Sequence, residues 1–543
     1  MFNSSLTVQA LRVPGAILAM LIFFQPGLAS ASAPTDAEAA RFLDQATFGP
    51  APDLIAHVKA VGFDQFLNEQ FTAPMTGYPD RIQYPSTAPV DCPSGSDCRR
   101  DNYTLYPLQN QFFVNALYGG DQLRQRVAFA LHQIFVVSGS EVSMSGRMTP
   151  YLQALHRNAF GNYRQLLYEI TLNPAMGVYL DMAGNVKGTP NENYAREVLQ
   201  LFSIGLYRLN PNGTRQLNDQ GQPIPAFDQN VINAFARVFT GWNFAAAQVT
   251  GVTNYVSPMV PTESRHDTAA KTLLRNVTLP ALQNATKDLN DAIDNIFNDP
   301  NVGPFISKQL IEHLVMSNPS AAYIQRVSTV FDNNGLGVRG DLQAVVRAIL
   351  LDADARSAMD GNPYRGHLTH PALFVAGFLR AFNPKSADGG TTSDGYLNPQ
   401  IQTMGMDLFN PPSVFSYFSP SFGLPSQSPG TIGFTAPEFG IFNTSTALKR
   451  DNFINTMVFS KIAVSTNAPN GTSIDLSPLL PLANDFNGLM DTLNTLLLYG
   501  SMSAELRQSV IGAVQAVSTS NPLKRVRTAV YLVATSSQYQ VER

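Results

Sequence analysis

The sequence predicts a mainly α-helical protein: a large multi-helix array with a small β-hairpin excursion and a long Pro/Gly/aromatic loop. Three observations carry this prediction. Apolar residues recur at spacings of three and four along most of the chain, which gathers them on one side of a helix. Start and stop residues punctuate those runs, as at Asn334-Gly335 after a run ending at Phe331 and at Pro300 after Phe297-Asn298-Asp299. Hydrophobic residues make up 44% of 543, enough to bury a substantial interior.

Taken in order, helical patterning covers 37–48, 121–137, 163–172, 231–242, 306–315, 323–331, 342–351, 368–382, 447–464 and 506–517. In 121–137, Leu123, Val127, Ala130, Leu131 and Ile134 share a face and Arg124, Gln125 and Gln133 lie off it. The β-excursion is expected over 206–227, where Asn210-Pro211-Asn212-Gly213 and Asn218-Asp219-Gln220-Gly221 bracket Thr214 to Leu217. The irregular segment is 383–440, either a functional surface loop or an ordered strap across the helices. Its aromatics Phe409, Phe415, Tyr417, Phe418, Phe422 and Phe434 argue against disorder. Helices resume over 444–543, and 32–543 reads as a single large domain with no repeat or hinge-like linker.

The N-terminus has another character. Arg12 precedes an apolar run from Val13 through Phe24, and small residues follow at Ala29-Ser30-Ala31-Ser32-Ala33. That order is a secretory signal peptide, with cleavage favoured after Ala31 because Pro34 would crowd a cut after Ala33. As a retained anchor the run is shorter than the roughly 20 residues a bilayer needs, and Pro26-Gly27 ends it. No later stretch is apolar enough to span a membrane. An exported soluble protein is expected, periplasmic or extracellular. Charged residues are 14%, with a formal net charge of -4 and no basic run beyond Arg99-Arg100, which disfavours nucleic acid and anionic membranes as partners. Cys92 and Cys98 are the two cysteines, and in an exported chain they read as a local disulfide. A redox motif, which wants two intervening residues, and a zinc site, which wants more ligands, are the weaker alternatives.

Standard catalytic signatures are absent: no G-x-S-x-G, no H-E-x-x-H, no P-loop and no C-x-x-C. Gly335-Leu336-Gly337-Val338-Arg339-Gly340 matches a dinucleotide fingerprint, but the segment before it is helical where such a site needs a strand. It reads as a helix–loop–helix connection with Asp341 near the next helix start. No cofactor is expected.

The densest polar cluster is Thr189 to Phe202. On a helix, Glu192, Arg196 and Gln200 share a face with Asn193 and Glu197 beside it, an arrangement suited to an acid/base pair, a hard cation or a sugar. The structural alternative is a capping box from Thr189 to Glu192, Pro190 in the first turn and an ordinary Glu192–Arg196 ion pair. A second candidate is Arg265-His266-Asp267-Thr268-Ala269-Ala270-Lys271. His266 is the best group there for neutral-pH chemistry, although Asp267 also reads as the N-cap of a helix through Leu274. His367 and His370 are spaced for one helix face and could hold a metal, but no third ligand is evident and no metal is expected. His57, His132, His156 and His313 sit in helical patterns as packed or surface residues. Trp242, in Phe239-Thr240-Gly241-Trp242, could stack a sugar or anchor the core.

With these residues assembled, the chain resembles the bacterial family known as domain of unknown function 1800. The likeness runs from Arg41-Phe42-Leu43-Asp44-Gln45-Ala46-Thr47-Phe48-Gly49-Pro50 to Ala436-Pro437-Glu438-Phe439. Between them lie Gln122-Leu123-Arg124-Gln125-Arg126-Val127-Ala128, Ala159-Phe160-Gly161-Asn162-Tyr163-Arg164, the Glu192 to Gly205 segment, Arg237 to Trp242, and His266-Asp267 with Lys271. The resemblance implies a mainly helical, frequently exported protein whose gene often neighbours that of an exported sulfatase-like protein, a possible partner. It implies no reaction. It also implies a Lys and a Glu where this chain has His367 and His370.

Two functions are carried forward. The favoured one is a binding or assembly role at the cell envelope, which requires a fully paired polar helix in the core and an exposed aromatic patch after Asn383. The alternative is an extracytoplasmic hydrolase acting on a polymer or its fragments. Glu192, Glu197 and His266 would supply acid/base groups, and Arg196, Asn193, Asp267, Lys271 and Trp242 would bind, which requires the Glu192 helix and the His266 loop to share one pocket. A secreted metal binder needs a further ligand at His367 and His370.

Overall fold

Helix Gln122–Ile134 is enclosed on all sides, and its surroundings explain its composition. Helices Asp36–Ala46, Phe63–Thr72, Tyr106–Tyr118, Ser145–Asn158 and Val302–Leu314 pack around it. Every residue of it except Arg124 is buried. Its apolar positions therefore meet the core, as the spacing predicts, and its polar positions are buried too. Several of those polar groups find partners, while Arg126 Nε and Nη1 and Gln133 Oε1 have none. Gln122 Nε2 donates to the Asn115 and Gly119 carbonyls at 3.0 and 2.8 Å, capping the end of helix Tyr106–Tyr118. His132 Nδ1 lies 3.1 Å from the Tyr151 hydroxyl, and Arg126 Nη2 donates to the His313 carbonyl at 2.7 Å.

The computed structural model describes residues 33–86, 92–357, 365–423 and 434–542. The expected signal peptide at 1–31 lies outside them. Twenty-two α-helices and three two-stranded antiparallel ladders make up the described residues, a mainly α fold. Pro34–Arg543 packs as one compact unit. No helix among the described residues is long and apolar enough to cross a membrane.

Each of the ten patterned segments is helical, with shifted ends. The 231–242 pattern stops at Val238 because Gly241 takes φ +86 to turn the chain. The 368–382 pattern becomes helix Pro371–Ala381, because proline suits the first turn and keeps the residue before it extended. His367 and Leu368 form a strand paired with Val541–Glu542, so His367 and His370 do not share a helix face. Two further expectations fail locally. Asp267 does not cap a helix: Lys271–Thr272 is a strand paired with Thr278–Leu279. Thr189 does not open one either, since helix Asn193–Gln200 starts later, with Glu192 at its N-cap. In both places side-chain bonds to other elements outweigh local propensity.

The excursion at 206–227 is a run of isolated bridges, Tyr207 to Pro225, Leu209 to Arg215 and Leu217 to Pro223. The described part of 383–440 is an ordered strap. Phe409 and Tyr417 are buried, Gln109 donates to the Leu408 carbonyl at 2.9 Å and Ser138 to the Pro411 carbonyl at 2.8 Å. Cys92 and Cys98 form the expected disulfide, with Cα atoms 5.6 Å apart.

Gly49, in the Thr47-Phe48-Gly49-Pro50 turn, marks a tight backbone crossing. Its φ is +116, and a Cβ there would lie 2.5 Å from the Gly377 Cα on helix Pro371–Ala381. Backbone cannot move aside as a flexible side chain can. Gly49→Ala is therefore expected to destabilise the fold by about 2–4 kcal/mol, from the strained φ and the overlap together. Urea unfolding would show it as a lower midpoint at an unchanged slope.

Candidate functional site

The residues singled out from sequence occupy two places that do not converge. Glu192 accepts from Arg196 Nη2 at 3.0 Å and from Gln229 Nε2 at 2.8 Å, and both charged side chains are 40% exposed. Asn193 Nδ2 donates to Asp181 Oδ2 at 3.2 Å. This is a solvated surface pair of the kind worth roughly 0–1 kcal/mol. Glu197, one turn on, is buried with Oε2 unpartnered, and burial pushes its carboxyl up against the pull of Arg196.

His266 lies in a sealed knot. Its Nε2 meets Asp288 Oδ2 at 2.9 Å, its Nδ1 meets the Thr240 carbonyl at 2.9 Å, and neither side chain is exposed at all. Lys271 Nζ donates to the same Asp288 oxygen at 2.6 Å and to the Ala269 carbonyl at 3.0 Å. Asp267 takes two bonds from Arg237, at 2.9 and 3.0 Å, and its backbone N–H donates to Thr240 Oγ1 at 2.9 Å. Trp242 is 2% exposed and belongs to the core. These residues join neighbouring segments, with His266, Lys271, Asp288 and Trp242 sealed from solvent. Helix Gln229–Val238 also separates the two places: Gln229 holds Glu192 near one end and Arg237 holds Asp267 near the other, eight residues or about 12 Å along the axis. Glu192 thus lies on the solvated side and His266 in the interior, toward opposite ends of this helix.

A cleft of mixed character opens elsewhere, between the central helix, helix Val302–Leu314 and the strap. Gln133, Gln309, Glu312 and His313 line one side, and Val414, Phe415, Phe418, Pro420, Pro437 and Glu438 the other, around a cavity of about 70 Å³. That volume admits one small polar group of a larger ligand rather than a whole drug-sized molecule. Burial pushes the Glu312 carboxyl up to about 7; Lys308, 3.6 Å away, pulls it down and the nearby Glu438 charge pushes it back up. Burial also raises Glu438, with His367 opposing. Oxygens of Gln133 and Glu438, both about nine-tenths buried, have no protein partner. His313 is held neutral by burial, down to about 3.

Behind Glu438 the polar residues continue inward. His367 Nδ1 is 3.8 Å from Glu438 Oε1 and His367 Nε2 is 2.5 Å from Glu542 Oε2. Asp44 and Arg126 act on the same group electrostatically. His370 is buried with neither ring nitrogen bonded. Among the described residues no set of three His, Cys, Asp or Glu side chains is arranged to hold a metal ion. A larger groove of about 640 Å³ lies by Tyr118 and Arg380, but that guanidinium is already committed to the Gly49, Ala116 and Leu117 carbonyls at 2.8, 3.0 and 3.2 Å.

The model of the family described as "Protein of unknown function (DUF1800)" matches residues 41–541. The chain belongs to this family. No curated protein and no solved structure matches it. The segment carrying Glu438 lies on the cleft, whereas those at Arg237–Trp242 and His266–Lys271 build the buried knot.

Sequence reasoning passed over Glu312, Glu438 and Glu542. The sequence around Glu312 gave no signal, because Lys308 four residues before it makes Glu312 read as half of an ordinary ion pair on the polar face of the helix.

The knot gives a prediction with a definite sign. Burial pushes Asp288 up, but the bonds from His266 and Lys271 more than offset it and leave the carboxyl below its usual 3.8; Arg237 holds Asp267 at about 2. Folded-state values below the unfolded ones mean stabilisation that is complete above about pH 4 and lost as pH falls through about 2. Asp288→Asn is expected to cost about 3–5 kcal/mol at neutral pH, because Lys271 is left buried without its counter-charge. Glu192→Gln is expected to cost at most about 1 kcal/mol. Denaturant titrations of both variants between about pH 6 and 2 measure this, with a flatter acid limb for Asp288→Asn.

Proposed function

We propose that the protein is exported and acts outside the cytoplasm as an acid–base hydrolase on a polymer or its fragments, with Glu312 and Glu438 as the working carboxyl pair. The observation that carries the reading is Glu312 held near 7 beside a second raised carboxyl in a cleft walled by Phe415 and Phe418. A carboxylic acid that keeps its proton close to neutral pH can give it to a leaving group, and a nearby carboxylate can activate water. The apolar N-terminal run and the Cys92–Cys98 disulfide support export. An exported sulfatase-like protein encoded nearby would be a natural companion on the same polymer.

A binding or assembly role asks for an exposed aromatic patch after Asn383, and the strap gives it little support. Phe409 and Tyr417 are buried and Phe418 and Phe422 half-buried, while Phe415 and Phe434 are exposed at 42% and 39%. The aromatics mostly fix the strap to the core.

The test is hydrolysis of a panel of extracellular polysaccharide and peptide fragments by the secreted chain. Glu312→Gln is expected to lower turnover by about 10²–10⁴. It should change the thermal midpoint little, since Glu312 is 24% exposed and its pair with Lys308 lies at the rim. Retention of wild-type turnover by Glu312→Gln, or no turnover on any member of the panel, would overturn the reading.

A further inference from the structure

Two carboxyl groups can share acid and base roles only if their surroundings differ, and the structure supplies a difference on one side of the cleft. His367 lies directly opposite Glu542 across the short ladder of His367–Leu368 with Val541–Glu542. Residues so paired project their side chains to the same face. The His367 ring and Glu542 carboxyl meet there at 2.5 Å, with side chains 2% and 5% exposed. The ring's other nitrogen points toward Glu438, at 3.8 Å from Oε1. Glu438 Oε2 has no protein partner, and Glu438 lines the cleft.

We infer that His367, oriented by Glu542, is a positioning residue that holds Glu438 as the base of the cleft and leaves Glu312 as the acid. The inference rests on the acid–base reading and assigns its roles. Burial alone works against a charged imidazole. Glu542, with Glu438 beyond it, more than offsets that and brings the ring to about 9, so it carries a positive charge at neutral pH. Arg126 from the central helix opposes this charge, and the neutral His313 and His370 are held neutral partly by it. Asp44 on the far side is raised well above its usual range and adds little negative charge.

The imidazolium therefore faces one carboxylate on each ring edge, Glu542 in contact and Glu438 just beyond hydrogen-bond reach. A cation at that distance favours the ionised form of Glu438 and orients it. Glu312 also has a cation within 3.6 Å, but a solvated one rather than a buried one. Its nearest cation is Lys308, 46% exposed at the rim and screened by solvent. Glu312 thus keeps its proton to higher pH than Glu438.

The test uses the full chain and reads titrations without a substrate. The sequence has seven histidines, so [13C]histidine labelling gives a small set of imidazole signals, and His367 is the one missing in His367→Gln. It should titrate near 9 and fall by about one unit or more, a tenfold loss of proton affinity, in Glu542→Gln. Glu542→Asp should restore part of that. The Glu438 carboxyl, isolated by [13C]glutamate difference spectra against Glu438→Gln, should titrate below Glu312 and rise by about one unit in His367→Gln. A purely structural His367 would leave the Glu438 titration in place. The inference is overturned if Glu438 titrates at the same pH in wild type and His367→Gln, or if it titrates above Glu312. Should His367→Gln not fold, His367→Asn, which also removes the cation beside Glu438, makes the same comparison. Absence of polymer turnover with these titrations intact would sink the hydrolase and leave the charge arrangement standing.

Discussion

The enclosure of helix Gln122–Ile134 is the constraint from which the rest of the architecture follows. A helix surrounded by five others has little solvent face on which to place its polar residues, so most of them reach to a neighbour. Those answers fix the neighbours in turn. Gln122 ends the helix before it, His132 engages Tyr151 and Tyr417, and Arg126 reaches the carbonyl of His313 and so sets where helix Val302–Leu314 can lie. The cleft is a by-product of this arrangement. Gln133 and Ile134 at the far end of the central helix meet Glu312 and His313, and the strap closes the other side.

Two buried charge clusters are present, and they differ in completeness. Around Asp288 every charged atom has a close partner: His266 and Lys271 share one oxygen, and Gln283 Nε2 donates to the other at 2.7 Å. Such a cluster holds segments together and has nothing left to offer a ligand. Around His367 the opposite holds. Atoms of Arg126, His367, His370, Glu438 and Glu542 remain without protein partners while buried, which is costly unless function or bound polar molecules compensate. The incomplete cluster adjoins the cleft and the complete one does not. Buried ionisable groups are a guide to function only where they are left unsatisfied beside open space.

Much of the fold was legible in the sequence. Periodicity alone located the ten helical segments, the turn clusters marked the 206–227 excursion, and the cysteine spacing gave the disulfide, because each depends on contacts within a few residues. The local misreadings have a common cause. Thr189-Pro190 looks like a helix start and Asp267 looks like an N-cap, but Asn185 takes the Asn191 backbone at 2.8 Å and Arg237 takes Asp267, and those longer-range bonds win.

The sequence by itself determined which stretches are helical, that the chain has a large core, and that it belongs with a family of helical proteins. It did not determine the site. Glu192 and His266 stood out because polar residues were dense around them, and density in sequence measures local hydrogen bonding, which proved structural. Glu312, Glu438, His367 and Glu542 are spread over 231 residues of chain, from position 312 to 542, and nothing local relates them. Only the packing of the strap on helix Val302–Leu314 and the pairing of His367 with Glu542 bring them together, and the altered proton affinities of Glu312, Glu438 and His367 arise from the burial and mutual charge that this packing creates.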